Sequence, residues 1–169
     1  MQILAISDTH GSYRALELAI LPHPDAALII HCGDGESELD RFTKAHPELA
    51  ERIWHVRGNC DYSSRSPLLL TLDLPFGHRL AAVHGHAYMA GDLRENLARL
   101  GKSQNADLVL FGHLHCRADT TVDGIRLFSP GSAANPRDGK PPSFGLIDVY
   151  PEGFLTSHGE IRLPRYSMQ

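Results

Sequence analysis

The sequence has little of what marks membrane-spanning, exported or nucleic-acid-binding chains. No apolar run approaches the roughly 20 residues that a membrane helix needs, and no basic segment precedes Asp8, so we expect neither a membrane span nor a signal peptide. Its three cysteines form no C-x-x-C pair, which excludes a disulfide framework and favours reduced thiols in a cytoplasm. Aromatic residues are only 7% and the net charge is −4, so the chain has neither a base-stacking cluster nor a general basic excess.

What the sequence does have is an ordinary globular composition with many histidines. Apolar residues make up 42% and charged residues 21% of 169 residues, which predicts one domain over residues 1–169. Histidine occurs 11 times. Because histidine is the commonest metal ligand and transfers protons near neutral pH, the composition points to chemistry at a site.

The first half of the chain alternates strand and helix patterns. Ser12 is in position to cap the first helix, and the second helix is charged and is expected to be exposed. Strand–helix alternation favours a parallel sheet covered by helices. The predicted strands are 3–6, 26–30 and 53–56, and the predicted helices are 12–20 and 37–45.

The second half is richer in strand patterns. Residues 68–74 and 79–83 predict a hairpin, and one helix carries Leu93, Leu97 and Leu100 on one stripe with Gly101 in position to end it. The two halves together predict two packed sheets with helices outside. Further strands are predicted at 108–111, 117–122, 125–129, 144–150 and 154–158, with a turn at 123–124.

Metal-ligand side chains follow five of the predicted strands, each accompanied by a glycine that allows a tight turn. Ligands collect at the carboxyl ends of strands in α/β sheets, so these side chains are expected to converge in one crevice. The side chains are Asp8, His10, Asp34, Asn59, His84, His113 and His115, and the glycines are Gly11, Gly33, Gly58, Gly85 and Gly112.

Several residues also have simpler interpretations. A single aspartate at a strand end is more often a turn or helix cap than a ligand, although five such ends together are not explained that way. His31 is expected to face the core with a hydrogen bond, and His86 is either a support for the ligands or a substrate contact. Arg57 is either a surface side chain or a phosphate contact. The residues interpreted as packing groups are Phe42, Trp54 and Met89.

The ordered motifs resemble those of the calcineurin-like metallophosphoesterases, and the Gly-Asn-Cys-Asp variant is similar to the small prokaryotic phosphodiesterases of that superfamily. The resemblance implies an α/β fold, a four-layer α/β/β/α sandwich of two mixed β-sheets flanked by helices. It also implies one metal held by Asp8, His10, Asp34 and His115, and another held by Asp34, Asn59, His84 and His113. The motifs are 8–10, 33–34, 58–61, 84–86 and 112–115, and the Ser-Pro-Gly-Ser segment at 129–132 extends the resemblance.

The ligand types agree with this chemistry. A bridging carboxylate such as Asp34 holds two cations about 3.5–4 Å apart, and a hydroxide between them can attack phosphorus in line. Imidazole, carboxylate and amide ligands suit two divalent metal ions. Mn²⁺ is the expected metal, with Fe, Zn, Ni or Mg as alternatives. Two dications, two aspartates and a hydroxide leave a charge of about +1, which matches a phosphodiester better than a dianionic monoester.

Asn59, Cys60 and Asp61 are the candidate catalytic residues. Many relatives have histidine where this chain has Cys60, and there it protonates the leaving group with the next aspartate orienting it. A thiol with a pKa near 8.5 is a poorer acid for this step than an imidazolium near 6.5.

We therefore expect a cytoplasmic metal-dependent phosphoric ester hydrolase, most simply a phosphodiesterase. The alternatives are a phosphomonoesterase and a metal-poor protein-binding scaffold of the same fold, as in the eukaryotic retromer subunit. The expected partner is a small phosphate ester, with no stable nucleic acid and no membrane, and relatives suggest a homodimer or homotetramer.

Overall fold

Two five-stranded mixed sheets, packed face to face, form the centre of this computed structural model, which describes residues 1–62 and 64–162. The first sheet has the order β10-β9-β1-β2-β3 and the second the order β4-β5-β6-β8-β7. The strands of the first sheet are β1 (Gln2–Ile6), β2 (Leu28–His31), β3 (Ile53–His55), β9 (Ser143–Tyr150) and β10 (Gly153–Glu160). Those of the second are β4 (Leu69–Asp73), β5 (Arg79–Val83), β6 (Leu108–Leu110), β7 (Arg117–Val122) and β8 (Ile125–Pro130).

Three α-helices cover the outer faces of the sheets. The helices are α1 (Tyr13–Ile20), α2 (Glu36–Ala45) and α3 (Leu93–Ser103). The first two pack against the β1 side chains Leu4 and Ile6, and α3 packs against β5, β6 and β8. As predicted, the Ser12 hydroxyl caps α1 by accepting a hydrogen bond from the Ala15 N–H at 3.3 Å. The four-layer α/β/β/α sandwich is therefore confirmed.

The alternating side chains of β1 explain why its whole run is apolar. Ile3 and Ala5 point into the core between the two sheets, whereas Leu4 and Ile6 point to the helices. A strand buried on both faces reads as a continuous hydrophobic run, as this one does. His31, at the end of β2, is fully buried and lies 3.1 Å from the Thr9 hydroxyl, as expected.

Gly101 does not end α3, contrary to prediction. The helix continues to Ser103, and Gly101 is buried within it against the second sheet. A Cβ atom there would lie 2.7 Å from Cγ2 of Ile125 and 3.1 Å from Cγ2 of Val109. This glycine therefore provides room for close helix–sheet packing, which outweighs its poor helix propensity.

Two predictions about exposure were wrong. Helix α2 is charged but not exposed throughout, because Leu39 and Phe42 on one face are buried against the first sheet. Trp54 and Met89, interpreted as packing groups, are 40% and 44% exposed, since β3 is an edge strand and Met89 follows a short 3₁₀ turn. Phe42 alone of the three is fully buried.

The parallel pairs bring the carboxyl ends of the strands together. In the first sheet β2 pairs in parallel with β1 and β3, and in the second β6 pairs in parallel with β5 and β8. Over the part of the chain that the structure describes, no helix is long and apolar enough to cross a membrane. Residues 163–169 lie outside the described residues, and the single domain over residues 1–169 stays a prediction.

Candidate metal centre

The seven predicted ligands all follow strands that end at the same edge of the molecule. Asp8 and His10 come after β1, Asp34 after β2, and Asn59 after β3. His84 comes directly after β5, and the other two histidines, His113 and His115, follow β6. The loops that follow these strands thus carry every candidate side chain to one crevice.

Most of these ligands adopt backbone conformations that side chains normally avoid. Eight non-glycine residues among the described ones have a positive φ, and five of them are predicted ligands. Such conformations cost energy and persist where the surrounding structure enforces them, typically at functional sites. The five are Asp8 (φ 55°), His10 (φ 43°), Asp34 (φ 59°), His113 (φ 68°) and His115 (φ 58°).

The glycines beside the ligands serve two different purposes. Gly33 and Gly85 have φ of 97° and 110°, so they supply the tight turns that the sequence predicted. Gly58 and Gly112 supply space instead: a Cβ atom would lie 2.0 Å from Oδ1 of Asp34 at the first position and 2.0 Å from Oγ of Ser7 at the second. The tight-turn explanation was therefore wrong for Gly58 and Gly112.

Asp8, His10 and His115 form a first cluster. The Nε2 atoms of His10 and His115 are 3.1 Å apart, and Oδ1 of Asp8 lies 3.3 Å from Nε2 of His115. The other oxygen, Oδ2, accepts hydrogen bonds from the Ser7 hydroxyl at 2.6 Å and the His113 N–H at 3.2 Å. Oδ1 is buried and has no hydrogen-bond partner among the described residues. Three ligand atoms thus face one point, where a cation would satisfy Oδ1.

Asp34, Asn59 and His84 form a second cluster. Nε2 of His84 lies 3.1 Å from Oδ1 of Asn59 and 3.4 Å from Oδ2 of Asp34. The same Asp34 oxygen lies 3.8 Å from Nε2 of His10, a member of the first cluster. The ring of His113 is next to that of His84, with centroids 5.1 Å apart. Oδ2 of Asp34 therefore lies between the two clusters.

Backbone carbonyls hold the two most buried ligand histidines. Nδ1 of His84 donates to the Cys32 carbonyl at 2.7 Å, and Nδ1 of His115 donates to the Asn135 carbonyl at 2.7 Å. A proton on Nδ1 leaves the Nε2 lone pair directed into the crevice. This is the arrangement by which proteins orient ligand histidines.

The charge of Asp34 also suits a cation. Burial alone would raise the pKa of this carboxyl group, but the contact with His84 and the hydrogen bond from the Cys60 N–H lower it to about 2. Burial lowers and Asp34 raises the pKa of His84, and the net shift is upward. Carboxylates facing imidazole nitrogens are a donor set that fits divalent transition metals.

Asp61 fastens the loops that carry the ligands. Its Oδ2 accepts hydrogen bonds from the N–H groups of Gly58 at 2.7 Å and Asp34 at 2.9 Å, and its Oδ1 accepts from those of Gly35 and Glu36, both at 2.9 Å. Burial opposes its ionisation, but these bonds and His55 hold its pKa well below the usual range. The carboxylate thus joins the β2 loop and the start of α2 to the β3 loop.

Cys60 is an exposed thiol at the rim of the crevice. Its N–H donates to Oδ1 of Asp34 at 2.7 Å, and its Sγ accepts a hydrogen bond from Nδ2 of Asn59 at 3.3 Å. A ligand atom of Cys60 falls within 4.8 Å of those of His10 and Asp34. Partial burial and Asp34 raise the pKa of the thiol, so it stays protonated at neutral pH.

Sequence reasoning missed a layer of supporting side chains. The hydroxyl of Ser132 donates to the Asp8 carbonyl at 2.8 Å, and Oε1 of the buried Glu38 accepts from the Thr9 hydroxyl at 2.7 Å and the Gly11 N–H at 2.6 Å. Only the resemblance of the 129–132 segment to relatives gave a signal for Ser132. Glu38 had none, because one charged residue on a charged helix is not distinctive.

His86 also lies beside the second cluster. The His86 ring centroid is 5.4 Å from that of His84, and Nδ1 of His86 is buried without a hydrogen-bond partner among the described residues. Burial lowers the pKa of His86, and the charge of Arg57 contributes to the shift. His86 is therefore a neutral side chain next to the second cluster.

Comparison with known proteins connects this geometry to a family. A model of the calcineurin-like phosphoesterase superfamily domain matches residues 1–151. The chain belongs to this superfamily. The match extends from the first strand to just past the end of β9 and includes all seven predicted ligands.

Named superfamily members resemble most of the chain. The chain is 31% identical to the probable metallophosphoesterase YsnB of Bacillus subtilis, and the alignment covers 88% of this chain and 85% of that protein. Phosphodiesterase YfcE of Escherichia coli K12 is 29% identical, with 88% of each chain covered. These relatives support a phosphoesterase that uses metal.

The superfamily also contains relatives of another kind. Vacuolar protein sorting-associated protein 29 of Schizosaccharomyces pombe is 31% identical over 88% of this chain and 85% of its own. Among solved structures, a predicted phosphoesterase of Streptococcus pneumoniae aligns with a TM-score of 0.74 at 22% identity, covering 94% of this chain and 97% of that one. The latter similarity establishes the shared fold.

Proposed function

We propose that this protein is a phosphodiesterase that acts with two divalent cations, of which Mn²⁺ is the expected one. The observation that carries the proposal is the position of Asp34, whose Oδ2 lies 3.8 Å from His10 and 3.4 Å from His84, one histidine from each cluster. A carboxylate in that position can ligate two cations at once. Bound cations would supply Lewis acidity and a water of lowered pKa.

We assign the ligands according to the two clusters. Asp8, His10, Asp34 and His115 would hold one cation, and Asp34, Asn59, His84 and His113 the other. The hydrogen bonds from His84 and His115 to backbone carbonyls support these roles, because they direct each Nε2 into the crevice. The orphaned Oδ1 of Asp8 supports the first position.

Other residues would act on the substrate or position the ligands. Asn59 and the neutral His86 can orient phosphate oxygens, and Cys60 at the rim is near the leaving group. Four N–H bonds to Asp61 occupy its carboxylate, so in our proposal it positions the loops and does not orient a group at Cys60. We treat Asp61 as a positioning residue.

A diester substrate is favoured by charge. Two dications, the two aspartates and a hydroxide leave a charge of about +1, which balances a singly charged diester. A monoester dianion would carry excess negative charge beside Asp8 and Asp34. Cys60 in place of an imidazole also favours esters with good leaving groups.

The second candidate function is a metal-poor protein-binding scaffold, as suggested by the relative named for vacuolar protein sorting. The buried Oδ1 of Asp8 argues against it. A buried polar atom without a partner costs stability, and a scaffold gains nothing from retaining it. The same reasoning applies to the strained backbone of the ligands.

The test is a purified-protein assay with bis(4-nitrophenyl) phosphate and 4-nitrophenyl phosphate, with Mn²⁺ and with chelator. We expect two metal ions per chain, faster diester than monoester hydrolysis, and loss of both activities with chelator. At most trace metal after Mn²⁺ reconstitution would instead favour the scaffold. Faster monoester hydrolysis would refute the diester preference alone.

We also propose a cytoplasmic protein whose partner is a small phosphate ester, without stable nucleic acid or membrane, and a homodimer or homotetramer over the single domain 1–169. Light scattering after gel filtration measures the mass against 18.6 kDa per chain. Fractionation of the source cells tests the compartment.

A further inference from the structure

A cleft of about 600 Å³ lies beside the candidate metal centre, between the first half of α2 and the loop after β3. Glu36 and Asp40 line it from the helix, and Tyr62 and Arg65 line it from the loop. Its size is within the range of small-molecule sites. None of these four side chains has a role in the proposed ligand set.

The cleft borders the metal centre directly. A smaller cleft of about 230 Å³ is lined by the candidate ligands His10 and Asp34. Ser37, Cys60 and Asp61 line both clefts. A phosphate held at the metal centre would therefore extend one of its substituents past Cys60 into the larger cleft.

The hydrogen bonds around the cleft give it a defined shape. Asp61 fixes its inner wall by accepting the N–H groups of Gly35 and Glu36 at the start of α2. The Glu36 carboxylate accepts a hydrogen bond from the Ser66 hydroxyl at 2.7 Å through Oε1, which connects the helix wall to the loop wall. The two walls are thus joined at the base of the cleft.

The lining excludes several substituents. Among the described residues that line it there is no aliphatic side chain, which disfavours a lipid chain. Two carboxylates, Glu36 and Asp40, oppose a second phosphate. The guanidinium of Arg65 offsets part of this negative charge, so the lining carries groups of both signs.

The same lining suits a hydroxyl-rich, uncharged ring. Carboxylates accept hydrogen bonds from hydroxyl groups, and the guanidinium of Arg65 donates to them, so both hydrogen-bonding roles of a hydroxyl are met. Tyr62 is 84% exposed and contributes an aromatic ring to the lining. The face of such a ring packs against the C–H surface of a sugar.

We propose that this cleft binds a sugar ring as one alcohol substituent of the phosphodiester substrate. The proposal rests on the proposed phosphodiesterase function. Asp40 would accept a sugar hydroxyl, and Tyr62 would pack against the ring. The cleft thereby selects among diesters that the metal centre alone would treat alike.

The test compares three 4-nitrophenyl diesters whose second alcohol is ethanol, a methyl riboside or thymidine. We expect kcat/KM to be at least about tenfold higher for the riboside and thymidine diesters than for the ethyl diester. Asp40→Asn and Tyr62→Ala should each lower this preference by about tenfold, with the loss mainly in KM. Tyr150→Ala is the control: it removes another tyrosine side chain, at the opposite end of the first sheet, and should leave the preference unchanged.

Each remaining outcome contradicts one part of the account. Hydrolysis of the ethyl diester without a sugar preference would overturn the sugar site and leave the phosphodiesterase intact. A preference for thymidine alone would mean that the base is recognised and would also overturn the proposal. No hydrolysis of any diester with Mn²⁺ would refute the proposed function itself. Circular dichroism of the variants separates lost binding from lost folding, and a sugar preference that both folded variants retain would overturn the sugar site.

Discussion

The two edges of the sandwich treat charged groups in opposite ways. At the edge of the metal centre, Asp8 is fully buried and its Oδ1 has no hydrogen-bond partner among the described residues. At the opposite edge, exposed acids pair with bases: Asp123 lies 2.7 Å from Lys102, and Asp73 lies 2.7 Å from Arg79. One oxygen of a buried aspartate thus lacks a partner at the metal edge, whereas both of these exposed aspartates are paired at the far edge.

The backbone differs between the edges in the same sense. Positive φ angles at the metal edge fall on aspartates and histidines inside the crevice. At the far edge Phe76, Asn105 and Asp123 also have a positive φ, but they lie in connections between elements and none is a candidate ligand. The contrast indicates that one edge is built for chemistry and the other for stability.

Asp34→Asn is expected to cause the largest loss of activity at the metal edge. The change removes a negative charge that, in our assignment, both cations share, and cation stabilisation of phosphoryl transfer is worth several kcal/mol. We expect kcat/KM for bis(4-nitrophenyl) phosphate to fall by at least about 10³-fold. Steady-state kinetics with Mn²⁺ measures it.

His115→Ala is the matched comparison, because it removes a ligand of one cation only. We expect a smaller loss than for Asp34→Asn. Retained activity in Asp34→Asn together with abolished activity in His115→Ala would show that Asp34 does not bridge. Asp123→Asn at the far edge should leave kinetics unchanged.

Variants of Cys60 test whether the side chain at the rim of the crevice helps to protonate the leaving group. Cys60→His supplies an imidazole that can donate a proton to a departing oxygen, and general acid catalysis contributes about 10²–10⁴-fold where the leaving group is poor. We expect Cys60→His to accelerate alkyl esters more than nitrophenyl diesters. Cys60→Ala should leave nitrophenyl diester hydrolysis largely intact. A large loss in Cys60→Ala on the activated ester would reveal a chemical role for the thiol.

Asp8→Asn should reverse the usual relation between metal and stability. Without metal, an amide N–H in place of Oδ1 can donate to Nε2 of His115, so the variant should be more stable than the wild type by about 1 kcal/mol. Saturating Mn²⁺ at 100-fold above Kd should stabilise the wild type by about 2.7 kcal/mol and the variant far less. Urea unfolding with chelator and with Mn²⁺ measures both.

Asp123→Asn is again the control, because its partner Lys102 lies at the other edge. This variant should respond to Mn²⁺ as the wild type does. An equal response of Asp8→Asn would mean that Asp8 is not a ligand.

The smallest effect concerns His78 at the stable edge. Its Nδ1 contacts the Asp107 carboxylate and its Nε2 lies 2.9 Å from the Tyr150 carbonyl, so the charged ring can donate to both acceptors. The hydrogen bond to Asp107 raises the pKa of His78. Its stabilisation is therefore complete below the unfolded pKa of about 6.5 and is lost as pH rises through the folded value.

We expect His78→Gln to reduce the free energy of unfolding more at pH 6 than at pH 9. The difference should stay below about 1 kcal/mol, because Asp107 is 41% exposed and solvent screens the pair. Urea unfolding at both pH values measures it. An equal reduction at the two pH values would show that the charge of His78 does not contribute.

The element order and the candidate ligands could be predicted from the sequence. The apolar run of β1 predicted a strand, and the run of leucines in α3 predicted a helix, because burial of one face imposes these periods. The motifs around Asp8, Asp34 and His84 were recognisable because ligand side chains follow strand ends.

The roles of Gly101 and Asp61 depend on contacts that only the tertiary structure makes. Gly101 looks like a helix end in sequence, yet contact with Ile125 makes it a packing glycine, since space around a residue depends on partners distant in the chain. Asp61 is expected from the sequence to orient a catalytic group, but it is held by four N–H groups of the β2 loop, the start of α2 and the β3 loop. Which atoms meet across the crevice is set by the register of strands, and no local pattern encodes that register.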